Sequence, residues 1–196
     1  WESKCLLAEY GVPVPDGALA RSEAEAIAAA ERLGVRLAMK AVGSQIHHKT
    51  EGGLVVLGVT GAAQAQETYR TLESRAGDAL EGVLVERMVG GDRELMVGLN
   101  RDPVFGPVVA FGLGGVLTEV LNDVALALAP LDQREAGRLP GLIRSTRVLE
   151  SFRGWPAVDR AALADALLAL SRIAQDFPEV AEIDVNPLMV ERDRPV

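Results

Sequence analysis

Leu163, Leu167, Leu170 and Ile173 recur every three or four positions, the spacing of one apolar helical face. Asp159 stands ahead of them as a cap, and Pro178 ends the run. Further helices are predicted over residues 3–10, from Ser22 to Gly34, over roughly Ala62 to Ala76, and from Asp132 onward. Ser22-Glu23-Ala24-Glu25 has the form of a capping box, in which a hydroxyl and a glutamate satisfy free helix N–H groups. Apolar or alternating runs predict strands at Arg36–Val42, Gly53–Val59, Gly82–Val89, Glu94–Leu99, Val108–Phe111 and around Leu117–Val120. The last strand lies at Ala181–Leu188. There Glu182, Asp184 and Asn186 line one face, while Ala181, Ile183 and Val185 line the other.

Interleaved helices and strands give an α/β (α+β) fold. Short spacing between residues 82 and 120 points to a mainly antiparallel sheet in that part. Gly90-Gly91 is a plausible hinge, so the reading is of two α/β lobes with a cleft between them. The smaller lobe covers approximately 20–89, and the larger covers 1–19 and 90–196. The whole reads as a fragment of a longer multidomain protein.

A chain of 196 residues, 48% hydrophobic and 24% charged, has ordinary globular usage and can bury a sizeable core. With aromatics at 4%, that core must be aliphatic. The formal net charge of −8 argues against nonspecific binding to nucleic acid or an anionic membrane. It leaves room for a nucleotide held by a few local cations. Cys5 is the single cysteine, so no internal disulfide forms, which fits a reducing, cytoplasmic setting. No run of about 18 apolar residues is present to span a membrane.

Candidate chemistry sits in four places. Glu182, Asp184 and Asn186 set three oxygen-bearing side chains on one side of an apolar strand, a natural partner for a hard cation such as Mg²⁺. Lys40 closes an apolar strand, where it can reach a phosphate as a point charge. His47 and His48, the only histidines, adjoin Lys49 and the pair Gly52-Gly53. A neutral imidazole is a nucleophile near pH 7. Gly112, Gly114 and Gly115 follow a strand, as in a backbone cradle for phosphate, though without the residues of a Walker A loop. Backbone groups of Glu86, Arg87, Met88 and Val89 could hold a flat base, with Glu94 near a ribose.

Taken together these segments resemble the ATP-grasp domain of the NDP-forming acyl-CoA synthetases, the ADP-forming acetate–CoA ligase group related to succinyl-CoA synthetase beta subunits. The residues that carry the resemblance run through the whole chain in order. They are Lys40 with His48-Lys49-Thr50-Glu51, Gly91-Asp92-Arg93-Glu94, Asn100 to Val108, Phe111 to Gly115 with Glu119-Val120, Arg153-Gly154, and Glu182 to Leu188. The resemblance implies ATP or ADP between two lobes, with Lys40 on the phosphates and Mg²⁺ on Asn186 and Glu182. It further implies His48 as relay of a phosphoryl group and Asp184 as the acid that orients the phosphohistidine. In such enzymes a second Mg²⁺-binding Asp follows Asn-Pro-Leu on the next strand, which lies at or beyond Val196. CoA-binding and ligase domains, in the same protein or a partner subunit, would complete an acid–CoA ligase. Two other readings share the fold: a nucleotide-binding regulatory module of a protein lysine acetyltransferase, and a different carboxylate ligase that has no need of His48.

Overall fold

The computed structural model describes residues 1–46, 52–91, 93–115 and 121–196. They divide into two compact units, Trp1 with Pro15–Met88 and Glu2–Val14 with Val89–Val196. Among these residues the strands form two sheets, and every strand pair is antiparallel.

The smaller unit has a four-stranded sheet in the order β1-β4-β2-β3, built from β1 (Gly17–Ala20), β2 (Leu37–Val42), β3 (Val55–Val59) and β4 (Gly82–Arg87). The sequence assigns residues 1–19 to the larger lobe, yet Gly17 and Ala18 pair with Glu86 and Val85 of the smaller unit. Gly17-Ala18-Leu19-Ala20 has no β-branched residue, so its strand comes from its partner and not from propensity.

Helices α2 (Glu23–Leu33) and α3 (Gly61–Ala76) pack on one face of this sheet. Ala26, Ala29, Ala30 and Ala65 lie against Leu37, Met39, Val83 and Val85. Small helix residues let the helices sit close to the aliphatic strands. The Ser22 hydroxyl accepts the Glu25 N–H at 3.2 Å. Its reciprocal bond is shifted by one residue, because the Glu25 carboxylate accepts from the Arg21 N–H at 2.7 Å. Gly34 closes the helix at φ 63°, a conformation that suits glycine.

The larger unit has a five-stranded sheet in the order β7-β6-β5-β8-β9. Its strands are β5 (Arg93–Asp102), β6 (Gly106–Leu113), β7 (Val124–Leu128), β8 (Glu182–Glu191) and β9 (Arg194–Pro195). Helix α5 (Arg160–Asp176) covers one face, burying Leu163, Leu167, Leu170 and Ile173 among Leu95, Val97, Leu99, Val109 and Phe111. Leu7 of α1 (Glu2–Glu9) joins the same core. Asp132 and Glu135 form a full capping box on α4 (Gln133–Arg138), with bonds of 2.7 and 2.9 Å. Arg101 on β5 donates to the carbonyls of Ala174, Phe177 and Val180, satisfying acceptors at and just beyond the end of α5. The strand predicted around Leu117–Val120 lies outside the described residues, and β7 follows it at a place where none was predicted. Among the described residues no helix is long and apolar enough to cross a membrane.

Candidate functional site

With α5 on one face of the larger sheet, the alternate residues turn to the other. The register sets them in rows: Leu126, Ala110, Gly98 and Asp184 in one, Leu128, Val108, Asn100 and Glu182 in the next. Gly98 and Ala110 keep the middle of this face low. The result is an open groove of about 430 Å³, apolar toward Leu126 and Val108 and polar toward Glu182, Asp184 and Asn186.

Strand β8 explains why the polar residues end there. Ile183 and Val185 pack inward, and so do Leu188 and Val190. The two-residue period therefore slips by one between Val185 and Leu188, and the register opposite β5 shifts at the same place. Such a bulge re-aims the side chains beside it. Asn186 and Pro187, both exposed, sit in the slip.

Asn186 reaches the end of β6. Its Oδ1 accepts the Gly115 N–H at 2.7 Å, while the Gly114 N–H donates to the Glu94 carbonyl at 2.8 Å. The glycines are needed here for close approach. A Cβ on Gly114 would stand 2.2 Å from the Leu95 carbonyl oxygen, and one on Gly115, at φ 62°, 1.5 Å from Glu94 Oε2. Gly112 is equally confined, with a Cβ meeting the Asp123 carbonyl oxygen at 2.8 Å. Thus Glu94, the glycine turn and Asn186 are brought together. The N–H groups of Gly114 and Gly115 serve internal acceptors, where the sequence suggests an open cradle.

Asp184 keeps contact with solvent, yet burial, and then the neighbouring Glu182 carboxylate, push its carboxyl above the ordinary aspartate value. Among the described residues no group of three His, Cys, Asp or Glu side chains is placed to hold a metal. Glu182 and Asn186 both line the groove, and the Asn186 oxygen has two lone pairs, one of them engaged by Gly115.

In the smaller unit, the Lys40 ammonium lies 2.5 Å from Glu86 Oε1. The N–H groups of Arg87 and Met88 donate to the carbonyls of Asp16 and Arg36, at 2.7 and 2.9 Å. Two backbone donors of the run read as a base-holding segment thus serve the smaller unit's own structure. Val89 opens the second segment of the larger unit. His48, the predicted nucleophile, lies outside the described residues, as do His47, Lys49, Thr50, Glu51, Asp92 and residues 116–120.

Two structural roles emerge only from the structure. Asp123, buried, accepts the N–H groups of Arg144 and Ser145 at 2.7 Å each, and these bonds, Arg144's first, hold its carboxyl below the usual range. Its own carbonyl receives Leu113 N–H at 3.4 Å, so it ties the end of β6 to the 144–145 turn. Arg93, buried, donates to the carbonyls of Val148 and Arg192 and stands 5.8 Å from the Trp155 ring centroid. Its place in Gly91-Asp92-Arg93-Glu94 carries no sign of this structural duty. In both cases the partners are tens of residues away, and no local pattern marks them.

Two α/β units, one with a glycine turn fastened to an Asn-Pro strand, define an ATP-grasp domain, and the family model of that description matches residues 1–196. The chain belongs to this family, in the branch that holds the beta subunits of ADP-forming acetate–CoA ligases. It is 39% identical over 197 residues to the acetate–CoA ligase [ADP-forming] I subunit beta of Pyrococcus furiosus, covering 98% of this chain and 85% of that one. It is 36% identical over 194 residues to the 4-hydroxybutyrate–CoA ligase [ADP-forming] of Nitrosopumilus maritimus, covering 96% of this chain and spanning 28% of that protein's length. Among solved structures, acetyl-coenzyme A synthetase 1 of Ca. Korarchaeum cryptofilum, in complex with coenzyme A, Ca-AMPCP and HgCl⁺, superimposes with a TM-score of 0.93 at 35% identity. That match covers 99% of this chain and 87% of the other.

Proposed function

We propose that the chain is the nucleotide-binding, phosphoryl-transferring module of an ADP-forming acyl-CoA synthetase. Acyl-CoA, ADP and phosphate become acid, CoA and ATP, reversibly, with CoA-binding and ligase domains supplied by the same protein or a partner subunit in the cytoplasm. The observation that carries the reading is the fastening of the Gly114-Gly115 turn to Asn186 and Glu94, which sets a glycine turn and a polar strand face on one sheet of a chain in this family.

In this scheme Lys40 grips the phosphates, and the backbone from Glu86 to Val89 holds the base. Glu94 stands at the ribose, and Gly112, Gly114 and Gly115 line the phosphates. His48 carries the phosphoryl group. In the ATP-forming direction the N–P bond to its imidazole breaks as an O–P bond to the ADP terminal phosphate forms, and a proton taken up from water onto the ring leaves neutral imidazole. Splitting one difficult transfer into two easier ones is the advantage of a covalent intermediate. Asp184 orients the imidazole. Its raised affinity for a proton makes it responsive to a cationic neighbour, which would drive it to the carboxylate. Asn186 and Glu182 would hold the magnesium that accompanies the nucleotide and offsets its charge.

The test supplies the protein with its CoA-binding partner, acetyl-CoA, ADP and phosphate, and measures ATP. Formation of ATP that disappears in a His48→Asn variant supports the reading. Equal ATP formation by wild type and His48→Asn, or none from wild type with its partner present, rejects it.

A further inference from the structure

Glu86 is an acid in a place that packing alone would give to an apolar residue. It lies in the strand Gly82-Val83-Leu84-Val85-Glu86-Arg87, and its side chain is 4% exposed. A carboxylate so buried is costly to keep without a partner. One partner is Lys40, whose side chain is 36% exposed and whose Nζ lies 2.5 Å from Glu86 Oε1.

Strand pairing sets up the contact. Ala38 stands opposite Glu86 and Lys40 opposite Leu84, so lysine and glutamate meet on the diagonal of one sheet face. Met39 and Val85, on the other face, are fully buried in the helix-covered core and fix both strands. The anion is thus anchored in a rigid sheet, and the cation sits at the end of a long flexible stem. An ammonium has three donors. With one donor on Glu86, the more exposed partner can turn the others outward.

We propose that Glu86 is a positioning residue: its buried carboxylate fixes the Lys40 ammonium so that the remaining N–H donors face a nucleotide polyphosphate. The inference rests on the nucleotide-binding reading above. It opposes a simple alternative, in which Glu86 competes with phosphate for Lys40. The two predict opposite signs, because removing a competing negative charge beside an anion site tightens binding, whereas removing a positioning group loosens it.

The test measures ADP affinity by calorimetry in the intact protein, with melting temperatures alongside. The variants are Glu86→Gln, Glu86→Asp, Lys40→Met and the double Lys40→Met/Glu86→Gln. The expected result is a loss of about ten-fold or more in ADP affinity in Glu86→Gln, as for a lost charge-assisted bond. Glu86→Asp, which keeps the charge but draws it back by about 1.5 Å, recovers part of the affinity. In the Lys40→Met background the Glu86→Gln change costs nothing further. A purely structural role would weaken ADP equally in both backgrounds, and that result overturns the proposal. So does ADP binding in Glu86→Gln that matches or exceeds wild type. Should Glu86→Gln fail to fold, Glu86→Asp compared in the two Lys40 backgrounds gives the same two outcomes. Wild-type protein that binds no ADP would reject the nucleotide reading together with this one, whereas the Glu86 outcomes bear on the positioning alone.

Discussion

Three glycines of this chain should answer differently to alanine, because the space around each differs. Gly114→Ala drives a Cβ into the Leu95 carbonyl at 2.2 Å, where backbone has to move, so it should destabilise by more than about 2 kcal/mol. Gly115→Ala meets the tip of the Glu94 side chain, which can swing aside, but keeps the strain of φ 62°, at a cost of about 1–3 kcal/mol. Gly137, in α4, has nothing within 4 Å of an added Cβ and should gain about 0.4–1 kcal/mol on the same change. Urea midpoints of the three variants check this order. Asp184 gives a pH test. Unfolded, it titrates near the usual value of about 3.9; folded, it titrates higher. Between the two values the native state keeps a proton that the unfolded chain has released, so stability falls as pH rises through that window. Asp184→Asn should therefore stabilise the fold above the window and lose that advantage at more acid pH, as read from denaturant midpoints across the range. A wild-type-like profile in the variant would refute it. A residue that costs stability where it stands is consistent with retention for chemistry. The alternation of β8 made the face shared by Glu182, Asp184 and Asn186 legible in the sequence. The partner of Asn186, 71 residues away at Gly115, was not legible, because nothing local encodes it.

At the scale of elements, what could be read was what the chain specifies locally. Helix α5 has its cap, its period and its stop in its own residues. Asp159 accepts the N–H groups of Ala161 and Ala162 at 3.0 Å each, and Leu163, Leu167 and Leu170 are fully buried. Asp159→Ala should cost about 0.5–2 kcal/mol, and Leu167→Ala about 2–5 kcal/mol, both read as shifts in denaturant midpoint with unchanged slope. Equal effects from the two would mean that Leu167 sits in a looser core than its burial indicates. Strands β1 and β7 were invisible for the opposite reason. Gly17-Ala18-Leu19-Ala20 and Val124-Ala125-Leu126-Ala127-Leu128 are rich in alanine and leucine, residues with no marked strand preference. Each is held extended by one neighbour, β4 or β6. The slip in β8 belongs to the same class, since it shows only against the register of β5. It returns Leu188 and Val190 to the core just after Asn186, so part of the site's surroundings is written in pairing and not in the strand itself.

For the whole molecule, the balance of charge sets the last test. A chain of net charge −8 repels a polyphosphate at long range, so binding has to come from a few local cations and backbone N–H groups acting over short distances. The described structure shows Gly114 and Gly115 engaged by internal acceptors, whereas Lys40, held by Glu86 through one donor, keeps others to offer. A nucleotide therefore has to exchange with the satisfied N–H groups of the turn while meeting the ammonium, and specificity should depend on offering several contacts at once. ADP, with two linked phosphates and a base, offers them; an oligonucleotide of the same phosphate count, with its charges spread along a backbone, does not. If ADP binds only the native chain, a concentration one hundred times its Kd adds about 2.7 kcal/mol of stability. The expected outcome is a clear rise in Tm with ADP, reduced in Lys40→Met, and none with a short single-stranded oligonucleotide. The rise should shrink as salt is added, since a partly exposed lysine is screened. A Tm unmoved by millimolar ADP, or moved equally by the oligonucleotide, would mean that the charge pattern does not select a nucleotide.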